Sequence, residues 1–312
     1  MRVRRPGEIF LTLDDRGMLD ALPFMPEMLQ YCGRTFSVFK RADKTCGHSF
    51  TWLRRVHDAV HLSGVRCDGA SHGGCQAACL TYWKEAWLER VESTGASEPP
   101  RLAAEEETFI TDTLLPATRN GGSPPEPVYR CQVTQLPRAS TQLRVWHLGQ
   151  YARDVRNWGL AKVIRSLLID VFNRFQSLSR RCLPRALRIR DGQHYPFLTK
   201  GRSGNGIPAA RLDLQPGDLV RIKSREEIVA TLDDENKDRG LSFDVEMLKY
   251  CGRTARVRGR VERLLDEKTG KMINIRRDCI ILDGVVCAAD YHQCCTRNVF
   301  PYWRESWLEK IG

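Results

Sequence analysis

Apolar and polar positions alternate in Gly217-Asp-Leu-Val-Arg-Ile-Lys223, directly after the breaker Pro216, as in a half-buried strand. The alternation returns from Thr254 to Leu265 and again from Met272 to Val286, and Asp-Glu-Lys-Thr-Gly-Lys271 between them carries the glycine that a tight turn needs. A β-hairpin is predicted there. The excursion before Tyr250 ends in a short helix that Gly252 terminates by taking positive φ. A different period governs Leu160, Val163, Ile164, Leu167, Leu168, Val171, Phe172, Phe175 and Leu178, which recur at helical spacing. They predict an amphipathic helix of about 19 residues, roughly 28 Å long, whose other side carries Lys162, Arg165 and Arg174, with Arg180 and Arg181 just past its end. The stripe is expected to pack against one or both β-rich parts of the chain, the alternative being a membrane interface. From Tyr302 to Ile311 the positions Trp303, Trp307 and Ile311 predict a last amphipathic helix that covers an open sheet end.

Much of this pattern occurs twice. Glu27-Met-Leu-Gln-Tyr-Cys-Gly-Arg-Thr35 and Glu246-Met-Leu-Lys-Tyr-Cys-Gly-Arg-Thr254 differ at one position, and 15 of the 27 positions pairing Ile9–Thr35 with Ile228–Thr254 are identical. After one inserted residue the register resumes, so that Tyr82-Trp-Lys-Glu-Ala-Trp-Leu-Glu89 faces Tyr302-Trp-Arg-Glu-Ser-Trp-Leu-Glu309. The chain therefore reads as repeat 1 over residues 1–91, a linker over 92–135, a basic helical segment over 136–182, a second linker over 183–214 and repeat 2 over 215–312. Pro, Gly and acidic clusters such as Asn120-Gly-Gly-Ser-Pro-Pro-Glu-Pro127 mark the first linker. The register places Met1 opposite Val220, so repeat 1 is expected to lack most of its opening strand; either it is degenerate or the true start lies upstream. The two Trp residues of each terminal helix are expected to make the repeats pack on each other.

The fold class is α+β, an internal duplication of a small β-rich unit with a short C-terminal helix. A short strand after Pro-Gly-Asp, a long first loop and then a twisted hairpin, over residues 215–286, resembles small SH3-like barrels of the KOW or nitrile hydratase β-subunit type. That resemblance implies a barrel and brings no functional residue.

Charge changes the picture in one place. Residues 137–203 hold 14 Arg and Lys against Asp154, Asp170 and Asp191, which equals the whole net charge of +11. Such a surplus suits an anionic partner, whether nucleic acid, membrane or acidic protein, or else a solvated helix face. Arg180, Arg181, Arg185 and Arg188 are the candidate anion-binding residues, and Trp146, Tyr151 and Trp158 lie among the arginines as stacking does with nucleic acid. No signal, transit or membrane-spanning pattern is read, and the chain is expected to be cytoplasmic.

In a reducing compartment twelve cysteines are metal ligands, catalytic groups or buried apolar fillers. The repeat register pairs Cys32 with Cys251, Cys67 with Cys287, His72 with His292 and Cys75 with Cys295, while the residues between have diverged. Three thiolates and an imidazole form an ordinary zinc set, so these eight residues are the candidate metal ligands, although the usual Cys-x2-Cys knuckle is missing. Cys67-Asp-Gly-Ala-Ser-His72 also resembles the iron-sulfur CDGSH signature, with one extra residue before the histidine and no upstream Cys-x-Cys; that resemblance implies a cluster. Buried structural thiols with a turn-capping histidine remain open, as does a thiolate activated by His72, for which no orienting Asp or Asn can be named. No P-loop, dinucleotide glycine fingerprint, Gly-x-Ser-x-Gly or His-Glu-x-x-His occurs.

The functional expectation is a non-enzymatic, metal-stabilised binding or accessory protein that meets an anionic partner. The rival is a metal- or thiol-dependent enzyme with its site in repeat 1, where His57, His61 and His72 precede Cys75, whereas repeat 2 has Arg277 and Ile281 opposite the first two.

Overall fold

The computed structural model describes residues 1–47, 53–91, 102–122, 126–144, 146–198, 201 and 212–311. Parts of both expected linkers, 92–101, 123–125, 199–200 and 202–211, lie outside these. The architecture is mixed α+β, with helices beside small antiparallel sheets. By contacts the chain divides into two units, one of residues 1–157, 263–274 and 295–299, the other of residues 158–262, 275–294 and 300–312. The division crosses the expected repeat boundaries, because the tip of the repeat 2 hairpin and the short stretch after Cys294 are grouped with unit 1.

In unit 2 four strands form one antiparallel sheet in the order Ile280–Leu282, Thr254–Arg260, Leu219–Ile222, Leu308–Lys310. Val220 and Ile222 point inward and meet Trp303, Trp307, Val257 and Leu282 in the core. A bulge between Val257 and Gly259 turns the long strand, which lets a narrow sheet curl around these side chains. Before the hairpin, Ser224 caps the helix Arg225–Val229 by accepting from the Glu227 N–H, while the Glu227 side chain accepts from the Ser224 N–H, a reciprocal capping box.

Unit 1 places the repeat 1 residues in matching contacts. Arg2 pairs with Glu89 as Arg221 pairs with Glu309, so the opening strand is shortened to Arg2–Val3 and still sits against the last strand, Leu88–Glu89. Trp87 Nε1–H donates to Thr12 Oγ1 at 3.0 Å, and Trp307 Nε1–H donates to Thr231 Oγ1 at 2.9 Å. Phe24 meets the Trp87 ring edge-on at 5.3 Å, and Phe243 meets Trp307 at 5.4 Å. The Asp14 carboxylate accepts from the N–H groups of Arg16 and Met18, and Asp233 does the same for Glu235 and Lys237, so each acid closes the turn between a short helix and the strand that follows it.

The expected terminal helices are absent. Each copy instead makes one tight turn, Glu85–Trp87 or Glu305–Trp307, and continues as a strand. The open edge of Leu219–Ile222 offers backbone partners to Leu308–Lys310, and an isolated ten-residue helix is too short to compete with them. Both Trp residues of each copy are fully buried in their own unit, which removes the exposed tryptophan surface on which repeat-to-repeat packing was expected. The stretch read as a first linker also contains structure: the helix Ala104–Phe109 and the start of Gln132–Ala139, which runs on into the expected basic segment, lie in unit 1, with Leu114 and Val133 in its core. The long helix runs from Leu160 to Cys182, and no described helix is long and apolar enough to cross a membrane.

Trp87→Ala and Trp307→Ala are each expected to cost about 3–5 kcal/mol through the cavity left behind, read as lower midpoints in denaturant unfolding. A pH effect is expected from His61, which is fully buried with Nδ1 3.0 Å from the Thr81 carbonyl. Burial pushes its pKa down to about 4, against the Thr81 hydrogen bond. The unfolded chain protonates this group near the ordinary value of about 6.5, so stability falls as the pH drops from about 7 to about 4, by roughly 2–4 kcal/mol. His61→Gln should flatten that part of the stability–pH curve by a similar amount.

Candidate metal centre

Each repeat delivers an acid from the 3-10 turn inside its nine-residue motif. Glu27 sits in Pro26–Tyr31, where Pro26 opens the turn, and Glu246 sits in Val245–Tyr250, where the Asp244 carboxylate accepts from the Glu246 N–H. Both glutamates are buried. The turn is tied to the later loop by its tyrosine: Tyr31 Oη donates to the Arg66 carbonyl at 3.2 Å, and Tyr250 Oη to the Val286 carbonyl at 2.7 Å. The next residue in each case is the paired cysteine, Cys67 or Cys287.

In unit 1, Glu27, Cys67 and His72 bring one ligand atom each within 4.8 Å of one another. Cys67 Sγ lies 3.2 Å from Glu27 Oε1 and 3.6 Å from His72 Nε2, and His72 Nδ1 lies 3.2 Å from Glu27 Oε1. Ser71 Oγ donates to the other oxygen of Glu27. Burial works against the carboxylate, but the His72 hydrogen bond and charge outweigh it and hold Glu27 below its usual range. Burial likewise opposes the imidazolium, yet hydrogen bonds to Cys75 and Glu27 raise His72 to about 9. Cys75 adjoins His72: burial pushes its thiol up, the bond with His72 outweighs this, and the net shift is downward. Its Sγ also accepts from the Leu265 N–H at 3.3 Å. Burial and the adjacent Glu27 push the Cys67 thiol strongly up. A pocket lined in part by Met25, Cys79, Leu80, Cys131 and Leu265 opens beside this group.

In unit 2, Glu246, Cys287 and His292 form the corresponding group within the same 4.8 Å. Here the ring is turned: Nδ1 faces Cys287 Sγ at 3.3 Å and Nε2 faces Asp244 at 3.5 Å. The Asp244 bond, then that of Cys287, raise His292 to about 11. Glu246 Oε1 accepts from the Tyr291 N–H at 2.6 Å, whereas Oε2 is buried with no hydrogen-bond partner among the described residues. An unpaired buried carboxylate oxygen is costly, and a cation on that oxygen, beside a thiol and an imidazole, removes the cost. The Cys/His/Glu groups of both units could thus hold a metal ion.

The loops that carry these residues share a backbone path at different local cost. Gly69, Gly73 and Gly74 all have positive φ, and their counterparts Ala289, Gln293 and Cys294 have it too, without being glycine. The Gly74 N–H donates to the Gly69 carbonyl at 3.0 Å, as the Cys294 N–H does to that of Ala289 at 3.4 Å. A Cβ on Gly69 would lie 2.1 Å from the Cys75 carbonyl oxygen, so repeat 1 needs glycine there for close approach as well as for φ. Holding three non-glycine residues in the left-handed region costs on the order of 1 kcal/mol or more each, which only a strongly determined loop sustains.

Of the eight expected ligands, Cys67 and His72 come together in unit 1 with Cys75 bonded to His72, and Cys287 and His292 come together in unit 2. Three do not join. Cys32 lies in the apolar core, where burial pushes its thiol up to about 12, because its turn points Glu27, and not Cys32, at the loop. Cys251 packs against the core of unit 2, raised by burial to about 11. Cys295 belongs to unit 1, its Sγ 2.9 Å from that of Cys46. The candidate ligands that sequence reasoning missed are Glu27 and Glu246. Their signal was in plain sight, an acid five residues before the cysteine in both copies of the motif. In the CDGSH-like stretch Asp68 is exposed and caps the Ala70 N–H, a turn function. His57 bonds Thr141 and His61 bonds Thr81, so neither belongs to the Glu27 group.

The four arginines do not form one nest. Arg180 and Arg181 are exposed near the end of the long helix, Arg185 pairs with Asp191 at 3.1 Å, and Arg188 donates to the Leu183 carbonyl at 2.8 Å. Trp158 donates to the Cys294 carbonyl with Lys162 over its ring at 3.8 Å, so it is committed to packing, whereas Trp146 is exposed. Comparison with protein-family models, with curated proteins and with solved structures finds no match to this chain.

Proposed function

We propose that the protein is a non-enzymatic, zinc-stabilised binding or accessory protein, built from two copies of a small SH3-like unit and meeting an anionic partner through its basic segment. In unit 1 the zinc ligands are Glu27, Cys67, His72 and Cys75, and in unit 2 they include Glu246, Cys287 and His292. The observation that carries this reading is the recurrence of a Glu–Cys–His group around a buried glutamate in the same sequence register of both units, with an orphaned carboxylate oxygen in one of them. Structural zinc takes such N, S and O donors. An iron-sulfur cluster is held mainly by thiolates, and each group places a hard carboxylate among at most two of them. The order of a strand, a long loop and a hairpin in unit 2 supports the SH3-like architecture.

A thiol-dependent enzyme is the second reading. It rests on the pocket beside Cys75 and on Glu27, which supplies the carboxylate that the thiol–imidazole pair lacked in the sequence.

Metal content per chain separates the two. Purified protein is expected to carry up to two zinc ions; Glu27→Gln or Cys67→Ser should remove one, Glu246→Gln or Cys287→Ser the other, and Cys32→Ser neither. A structural zinc contributes on the order of 10–16 kcal/mol, comparable with a whole domain, so excess chelator should unfold the units. Metal-free protein that stays cooperatively folded in chelator, with Cys75 rapidly alkylated, would favour the enzyme and sink the zinc reading. A further expectation concerns the loop alone: Gly69→Ala should displace the Cys75 carbonyl and halve the bound metal while leaving the unit 2 site loaded.

A further inference from the structure

The long helix Leu160–Cys182 is turned outward. Leu160, Ile164, Leu167, Leu168, Val171, Phe175 and Leu178 are between 38% and 66% exposed. They lie at spacings of three, four and seven along one face, the stripe that the sequence assigned to packing. The opposite, polar edge is held by unit 2 itself. Gln293 Nε2 donates to Asp170 at 2.6 Å, and Asn173 bonds the backbone of Tyr195 through both ends of its amide. The Gln176 amide reaches the carbonyls of Ile189 and Gln193, both at 2.9 Å. Buried Ser166 and Ser179 complete that edge. The apolar face is therefore presented by hydrogen bonds on its reverse.

Charge decides what covers it. Arg165 lies on one border of the stripe and Arg174 and Arg181 on the other, with Arg180 at the end, and all four are exposed. Asp170 is the helix's one acid, and it already meets Arg174 and Gln293. A second copy would set arginine borders against arginine borders, with no acid to answer them, whereas paired helices use opposite charges at those positions. Bulky aliphatic side chains with a Phe and basic flanks are what an interfacial helix needs to lie in the headgroup region of an anionic bilayer.

We propose that this face docks the protein on an anionic lipid surface, with Ile164, Leu168, Val171 and Phe175 entering the acyl boundary and Arg165, Arg174, Arg180 and Arg181 meeting lipid phosphates. The inference rests on the anionic-partner part of the reading above and is independent of zinc. The test is sedimentation of the full chain with phosphatidylcholine vesicles, with and without 30 mol% phosphatidylserine (a composition of about one anionic headgroup in three). Binding is expected only to the anionic vesicles and should weaken as salt rises. Leu168→Asp with Val171→Asp should weaken it roughly tenfold or more, and Arg165→Gln with Arg181→Gln several-fold. These positions are exposed, so unchanged circular dichroism and unfolding midpoint will show that the variants fold. No sedimentation with anionic vesicles overturns the proposal. So does binding that the Asp variant leaves intact, or a concentration-dependent dimer that this variant dissolves while vesicles are ignored. Salt-sensitive binding to single-stranded nucleic acid without vesicle binding would overturn the lipid assignment and leave the anionic partner standing. Binding to neither removes both.

Discussion

A carboxylate withdrawn from water next to a thiol and an imidazole is the arrangement on which each unit turns. Removing such a charge from solvent costs several kcal/mol unless other charges and donors replace the water. Unit 1 meets that cost with His72, Ser71 and the Cys67 thiol around Glu27. Unit 2 meets it only in part, since one oxygen of Glu246 keeps no partner among the described residues. A divalent cation would answer both cases at once, cancelling charge and favouring the deprotonated thiolate. It would also join two segments about forty residues apart in sequence, the 3-10 turn and the loop after the hairpin, as small units with limited cores need.

The loop geometry belongs to the same constraint. Repeat 1 adopts three left-handed positions with glycine, and repeat 2 adopts them with Ala289, Gln293 and Cys294. Sequence divergence has thus changed the local cost of the path without changing the path. What both loops retain is the delivery of one thiol and one imidazole to the buried acid. The ring nitrogens exchange roles between units, because unit 2 offers Asp244 on the side where unit 1 offers Cys67. Donor identity is therefore held less tightly than donor position.

The long helix obeys a different balance. A stripe of nine apolar residues ordinarily seeks a core, but here Asp170, Asn173 and Gln176 bring specific partners on the other edge. Buried polar groups left unpaired cost more than exposed aliphatic groups, so the edge that finds matching carbonyls and amides turns inward. The apolar face left outside then acquires its meaning from its basic borders.

The sequence alone determined the duplication and the register that aligns its two copies, the hairpin turn, the long helix and the thiol–imidazole pairs Cys67 with His72 and Cys287 with His292, because each is written in local period or in spacing. The sequence could not select Glu27 over Cys32, since both lie in the repeated motif and only the path of the turn decides which side chain faces the loop. Nor could it assign Cys295, one residue from Cys294 and grouped with the other unit, or foresee that Trp303 and Trp307 bracket a tight turn leading into a strand. Those outcomes depend on non-local partners: an open sheet edge that captures Leu308–Lys310, a core that takes Cys32, carbonyls that claim Gln176. Hydrophobic period records how much apolar surface an element carries, and only tertiary hydrogen bonding determines which face is buried.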